Sequence, residues 1–247
     1  MEEGKASLGN LGEASVGPTA LDPDGNLHVV GRTADGQYIV SFDASGKYKS
    51  KVAIDPEQVV VQEFAVFKSG AFLVAGRSLQ QRGRRLAVMS AGGGWHEVVL
   101  PGDPASKKGL SPKDAIKALG MSFAQPAPDG RVYFAVGTAT GPVFPISPSG
   151  EVGEGIELVP PRPDAMLVGL LVSHGRLAAT YATGSEESPM NTWASVSDLA
   201  TGQHVALYGP LPGSVLCYES VSGFPDRFTM LSFSEINSMA FVHASAP

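Results

Sequence analysis

Apolar residues along this chain fall into short runs of five to eight, separated at close intervals by Gly, Asp, Ser and Pro. Runs of that length, rich in Val, Leu, Phe and Ala, read as strands rather than as amphipathic helices. From Gly17 the stretch "GPTALDPDGNLHVVGRTADGQYIVSFDASGKYKSKVAI" holds four such runs split by three turns. The pattern predicts four antiparallel strands in chain order.

The same unit recurs from Glu63, Phe123 and Val168, and a shortened one begins at Glu219. Gly25, Gly70, Gly130 and Gly175 mark the first turn of the four full copies, at intervals of 45, 60 and 45 residues, with Asp226 in the matching place of the fifth. Gly46, Gly94, Gly150 and Gly202 mark the third turn. At both turns glycine is expected at positive φ, where a side chain would be strained. A four-stranded meander has two faces and cannot bury both alone, so the copies are expected to pack as blades around an axis. The predicted fold class is therefore all-β, a β-propeller of five four-stranded antiparallel blades. Their expected bounds are 14–54, 58–100, 118–158, 165–208 and 214–247. The last copy stops after "SMAFVHASA", one strand short, and "GKASLGNLG" from Gly4, with its strand at 4–10, resembles the fourth strand "GKYKSKVAI". The N-terminal strand is thus expected to complete the last blade and remove a free edge. The stretch 101–118, between the second and third copies, reads as an insertion with a short helix capped by Ser111.

The first copy, residues 17–48, resembles the NHL and SMP-30-like propeller repeats: Pro, a hydrophobic strand, Asp-x-Asp-Gly-Asn, a second strand, then "fD-x-x-G". That family usually has six blades and commonly an Asp after the second strand, where this chain has Val30 and Gly31. The resemblance implies a propeller fold and transfers no catalytic residue. A six-bladed ring is the alternative it leaves open.

Gly and Pro together make 49 of the 247 residues, evenly spread, as dense tight turns require. A net charge of −6 gives no reason to expect nucleic acid, which needs a surplus of Lys and Arg. No apolar run reaches the roughly 18 residues of a membrane helix. The single cysteine, Cys217, allows no internal disulfide and no cysteine-rich zinc site. "MEEGKASLGN" lacks the basic and apolar regions of a signal peptide, so the chain is either made without one or is a mature form that has lost it. A periplasmic or extracellular bacterial protein is expected, with a cytoplasmic one as the alternative, and a monomer in either case.

Candidate chemistry concentrates on the loops opposite the glycine turns, because long loops on a rigid scaffold are where function tends to lie. "RSLQQRGRR" and the 101–118 insertion gather Arg77, Arg82, Arg84, Arg85, Lys107, Lys108, Lys113 and Lys117 against Asp103 and Asp114, a local +6. Such polarity would draw an anionic ligand or an acidic partner. Arg32 joins these ligand-binding candidates, as do Gln125 and Tyr218 on inner strands and Trp193 as a stacking face for a sugar or peptide. Glu63 and Glu219 share a register in the second and fifth copies and are candidates for paired channel carboxylates.

Other patterns fail. "HEVVL" has Leu100 where a zinc protease needs its second histidine, and "SFDASGK" lacks the first glycine of a phosphate loop. "LDPDGNLHVV" spaces Asp22, Asp24 and Asn26 like calcium ligands, but Leu27 and Thr33 stand where glycine and glutamate belong, so it reads as a hairpin turn. No metal or cofactor is expected. The sequence points to a binding module for a small-molecule, anionic or protein partner, with a carbohydrate-active hydrolase or lyase using Glu63 and Glu219 as the alternative.

Overall fold

The computed structural model describes residues 15–77, 84–102, 122–136, 141–185, 188–209, 220–224, 227–235 and 238–245. Every regular element among them is a strand, and the strands form five antiparallel sheets in chain order. The first sheet contains β1 (Ser15–Leu21), β2 (Leu27–Thr33), β3 (Gly36–Phe42) and β4 (Tyr48–Ile54). The second contains β5 (Val60–Val66), β6 (Phe72–Arg77), β7 (Arg84–Met89) and β8 (Trp95–Glu97). The third has β9 (Ser122–Pro126), β10 (Val132–Val136) and β11 (Val143–Ile146). The fourth runs β12 (Met166–Ser173), β13 (Arg176–Ser185), β14 (Ser188–Asp198) and β15 (His204–Tyr208). The fifth has β16 (Ser220–Phe224), β17 (Arg227–Glu235) and β18 (Ser238–Ser245). Each is an up-and-down meander, as the repeat predicts.

The third sheet departs from that expectation. Where a fourth strand was expected, only the bridges Val143↔Ile156 and Ile146↔Val152 occur. Gly153 and Gly155 interrupt the segment and weaken it as a strand. In the fifth sheet three strands are described; the N-terminal strand expected to complete it lies outside the described residues, as do residues 103–118 of the insertion.

The turns follow the glycines. Gly25, Gly70, Gly130 and Gly175 have φ of 80°, 82°, 84° and 73°, and Gly46, Gly150 and Gly202 lie at 82°, 86° and 69°. In the second sheet Gly93, not Gly94, takes the left-handed position, at 86°. There Gly93 N–H donates to the Ser90 carbonyl and Gly94 N–H to the Ser90 hydroxyl, the same bonds that Gly46 and Lys47 make to Asp43, so Gly93 is the equivalent of Gly46 and the turn lies one residue earlier than the expected Gly94.

The first strands of four sheets share a second feature. β1, β5, β12 and β16 each break register with their neighbour, between Val16 and Thr19, Val61 and Glu63, Leu167 and Gly169, and Ser220 and Ser222. These are β-bulges, which bend a strand and raise its twist.

The chain divides into two compact units. One comprises residues 1–120 with 129–132 and 146–153, and the other comprises 121–128, 133–145 and 154–247. In the first unit, directly paired residues of β2 and β3 share a face: His28 with Ser41, Val30 with Ile39, Arg32 with Gln37. Val30 and Ile39 are fully buried and pack with Val61, Phe64, Val66, Phe72, Val74 and Met89, so this face lies against the second sheet. Each such aliphatic side chain contributes about 1.5–3 kcal/mol on burial. The opposite face of the first sheet carries a smaller cluster of Val29, Val40 and Phe42 with Tyr38. In the second unit Tyr133, Val143, Leu167, Leu170, Leu177 and Tyr181 form the core between the third and fourth sheets. Burial raises the Tyr181 phenol above its usual pKa, so it remains protonated.

Candidate functional site

The cleft between the first two sheets is apolar in its middle and polar at both ends. Along the face of the first sheet the order is His28 and Ser41, then Val30 and Ile39, then Arg32 and Gln37. A cavity lies at each end.

At the Gln37 end the sheets are tied together by side chains. Gln37, 3% exposed, donates from Nε2 to the Val59 carbonyl at 3.1 Å and accepts from Val61 N–H at 3.1 Å. Arg32 donates from Nε to Gln37 Oε1 at 3.3 Å and from Nη2 to the Val61 carbonyl. These bonds satisfy the backbone of Val59, just before β5, and of Val61 beside the bulge, where the ladder to β6 is interrupted. Next to this clamp is a cavity of about 400 Å³, with Asp35, Gln37, Asp55, Gln58, Met89 and Trp95 in its lining. Asp35 comes from the β2–β3 loop and Asp55 and Gln58 from the β4–β5 loop, both on the face where the sequence places function. Arg85 borders the site: it donates from Nη1 to the Gln58 carbonyl at 3.3 Å, and its guanidinium lies 5.4 Å from the Trp95 ring centre. The Trp95 indole N–H and the Arg85 Nε–H are buried with no acceptor among the described residues.

At the other end the Asp22 carboxylate organises the first hairpin. Oδ1 accepts from the N–H of Asp24 and of Asn26, both at 2.9 Å; Oδ2 accepts from Asn26 Nδ2 at 2.7 Å and bonds His28 Nε2 at 3.1 Å. Partial burial works to raise the Asp22 pKa, but the bonds from Asn26, His28 and Asp24 outweigh it and hold the pKa below the usual carboxylate value. The other ring nitrogen, His28 Nδ1, lies 2.8 Å from Ser41 Oγ. "LDPDGNLHVV" is therefore a hairpin turn, with Gly25 N–H on the Asp22 carbonyl at 3.0 Å.

The remaining candidates are scattered over both units. Arg77 and Arg84 face each other across β6 and β7, Arg77 exposed and Arg84 half-buried. Glu63 is half-buried on β5, opposite Ala75. In the second unit Gln125 is half-buried on β9. Trp193 on β14 packs on the core, and its Nε1 donates to Thr183 Oγ1 at 3.2 Å. Arg82, Tyr218, Glu219 and the four lysines of the insertion lie outside the described residues. Of the expected site, the structure thus brings together Arg32 and Arg85 beside one cavity. Asp35, Asp55, Gln58 and Trp95 went unnoticed in the sequence, where they look like ordinary turn and strand residues.

No family model matches the chain, and no curated protein matches it in sequence. Solved structures resemble it in fold. A gluconolactonase from Xanthomonas campestris matches with a TM-score of 0.53 at 15% identity, over 88% of this chain and 69% of that one. A protein of unknown function from Bacteroides caccae gives 0.50 at 12% identity, over 95% and 79%. Hydrazine synthase from Kuenenia stuttgartiensis gives 0.46 at 13% identity, and this chain spans 63% of its length. The structural neighbours are β-propeller proteins, and the chain shares that all-β architecture of antiparallel sheets.

Proposed function

We propose that this protein is a propeller-type binding module whose ligand enters the cavity of about 400 Å³ between the first two sheets. Specific small-molecule sites combine apolar walls with a few placed polar groups. Here Met89 and the Trp95 ring supply the walls, while Asp35, Asp55 and Gln58 supply acceptors and an amide. That set suits a neutral, hydroxyl-bearing ligand such as a saccharide, whose hydroxyls donate to carboxylates and whose ring stacks on an aromatic face. One observation carries the reading: the half-buried Trp95 lines the cavity beside Asp35, Asp55 and Gln58, an aromatic ring next to polar groups. The carboxylates disfavour an anion in this cavity; the anionic partner expected from the basic loops is a separate proposal.

The test is a calorimetric titration of the protein with a panel of mono- and disaccharides. At least one should bind saturably, and Trp95→Phe, which removes part of the stacking ring, should weaken it by roughly tenfold. Absence of saturable binding across the panel would sink the saccharide reading.

A further inference from the structure

We propose that Ser41 is a nucleophile of the serine-hydrolase kind, activated by His28 and Asp22, acting on small esters that enter the second cavity of the first unit. This site is separate from the saccharide cavity and does not rest on that reading.

The proton positions follow from the bonding. The Asp22 carboxylate already accepts three N–H bonds and is held ionised, so at the 3.1 Å contact His28 Nε2 must carry the hydrogen. In the neutral ring Nδ1 is then the acceptor, and the Ser41 hydroxyl donates to it at 2.8 Å. A hydroxyl bonded to an imidazole base, which a carboxylate orients, is the constellation that activates serine, and it is recognised by these roles rather than by chain order. Here the two ring nitrogens exchange their usual partners while keeping the same roles.

Comparison among the sheets shows that the fold does not require this relay. The residue three places after the first-turn glycine, with its cross-strand partner, is Leu73 with Val88 in the second sheet and Ala178 with Val196 in the fourth. All four are buried. Only in the first sheet, among these three, does the place hold a polar pair, His28 and Ser41, 7% and 3% exposed. Burying such a pair is unfavourable unless it is fully hydrogen-bonded, and an apolar pair would serve packing as well.

The relay also opens on a space. Asp22, His28 and Ser41 line a cavity of about 380 Å³ whose apolar part is Val52, Val66 and Phe72. Ser50 lies directly opposite Ser41 on β4 and lines the same cavity, as does Lys49, which a register shift between Ser41 and Phe42 turns toward it. A hydroxyl and an ammonium there can take the negative charge that develops on a carbonyl oxygen.

In the reaction, Ser41 Oγ attacks the ester carbonyl while its proton passes to His28 Nδ1. The bond to the alkoxy oxygen then breaks, and that oxygen takes the proton and leaves as the alcohol. Water, deprotonated by the same nitrogen, adds to the acyl carbon; the bond to Ser41 Oγ then breaks, Oγ takes that proton back from His28, and the carboxylic acid leaves. Asp22 is a positioning residue: it touches no reacting atom and fixes which nitrogen is the base.

The test treats the folded protein with diisopropyl fluorophosphate, small enough for the cavity. Attack by Ser41 forms a P–O bond and expels fluoride. Expected are a single adduct mapped to Ser41 by peptide mass, none there in Ser41→Ala, and labelling slowed roughly 100-fold or more in His28→Gln, the usual contribution of a general base. Asp22→Asn should lower the maximal labelling rate without changing the probe concentration at half-saturation. Near-UV circular dichroism verifies the fold of each variant, and Ser41→Ala should keep it, since Val88 and Val196 fill the matching places. An unlabelled Ser41 in the folded wild-type protein, or equal labelling rates in His28→Gln and wild type, overturns the proposal.

Discussion

Gln37 does for the inter-sheet cleft what no apolar side chain can, because it meets a donor and an acceptor of the neighbouring sheet at once. Gln37→Leu would leave Val61 N–H and the Val59 carbonyl without their buried partner. A loss of about 2–3 kcal/mol is expected, since an unsatisfied buried group costs more than the net worth of its bond. The urea midpoint measures it. Asp22 makes a pH-dependent contribution. Its native pKa lies below the ordinary 3.8, so its stabilisation is complete above that value and disappears as pH falls through the lowered native one. Asp22→Asn should therefore be less stable than wild type at pH 6, with the gap closing in acid denaturation profiles below about pH 4. The relay itself was in the letters of the sequence but hard to see. Asp22, His28 and Ser41 look like a turn residue, a scattered histidine and a strand serine; only alignment of the copies shows a polar pair where Leu73 and Val88, or Ala178 and Val196, stand elsewhere.

At the scale of elements, glycine tells two stories. Gly25 has φ of 80° and nothing within 4 Å of a built Cβ, so Gly25→Ala should cost only the left-handed backbone penalty, about 1 kcal/mol. Gly76 in β6 would place a Cβ 2.0 Å from the Val60 carbonyl oxygen, on the backbone of the bulged β5. Gly76→Ala should cost at least about 2–3 kcal/mol, as forced overpacking does, and thermal unfolding of the two variants side by side checks the order. The turn glycines were legible because a two-sided meander needs them at fixed places. Gly76 was not, because its reason is the bulge in the paired strand β5, which no local pattern of residues announces. The missing fourth strand of the third sheet was masked in the same way: "GEVGEGIELV" has the apolar spacing of a strand, but its glycines leave too little side chain to hold one.

For the whole molecule, the repeat made the architecture readable, since four copies of one pattern outweigh the ambiguity of any single run. The site was less readable, because a cavity is built by residues from different copies whose proximity no local pattern records. The two tryptophans give a way to follow this. Trp95 and Trp193 fall in different compact units, so a Trp193→Phe variant reports only on the first. With a saccharide at 100 times its dissociation constant, the unfolding followed by Trp95 fluorescence should be stabilised by about 2.7 kcal/mol. An unmoved midpoint at that concentration would place the ligand outside the first unit.

The bulges of β1, β5, β12 and β16 bear on solubility as well as shape. Each sits on the strand at the end of its sheet's order, where a straight ladder would offer free backbone groups to a second chain. At the other end of the first sheet, β4 and the turn before it carry Lys47, Lys49 and Lys51. One edge is thus bent and the other charged, so that a nascent or partly opened first sheet presents no flat strand on which a fibril could be templated.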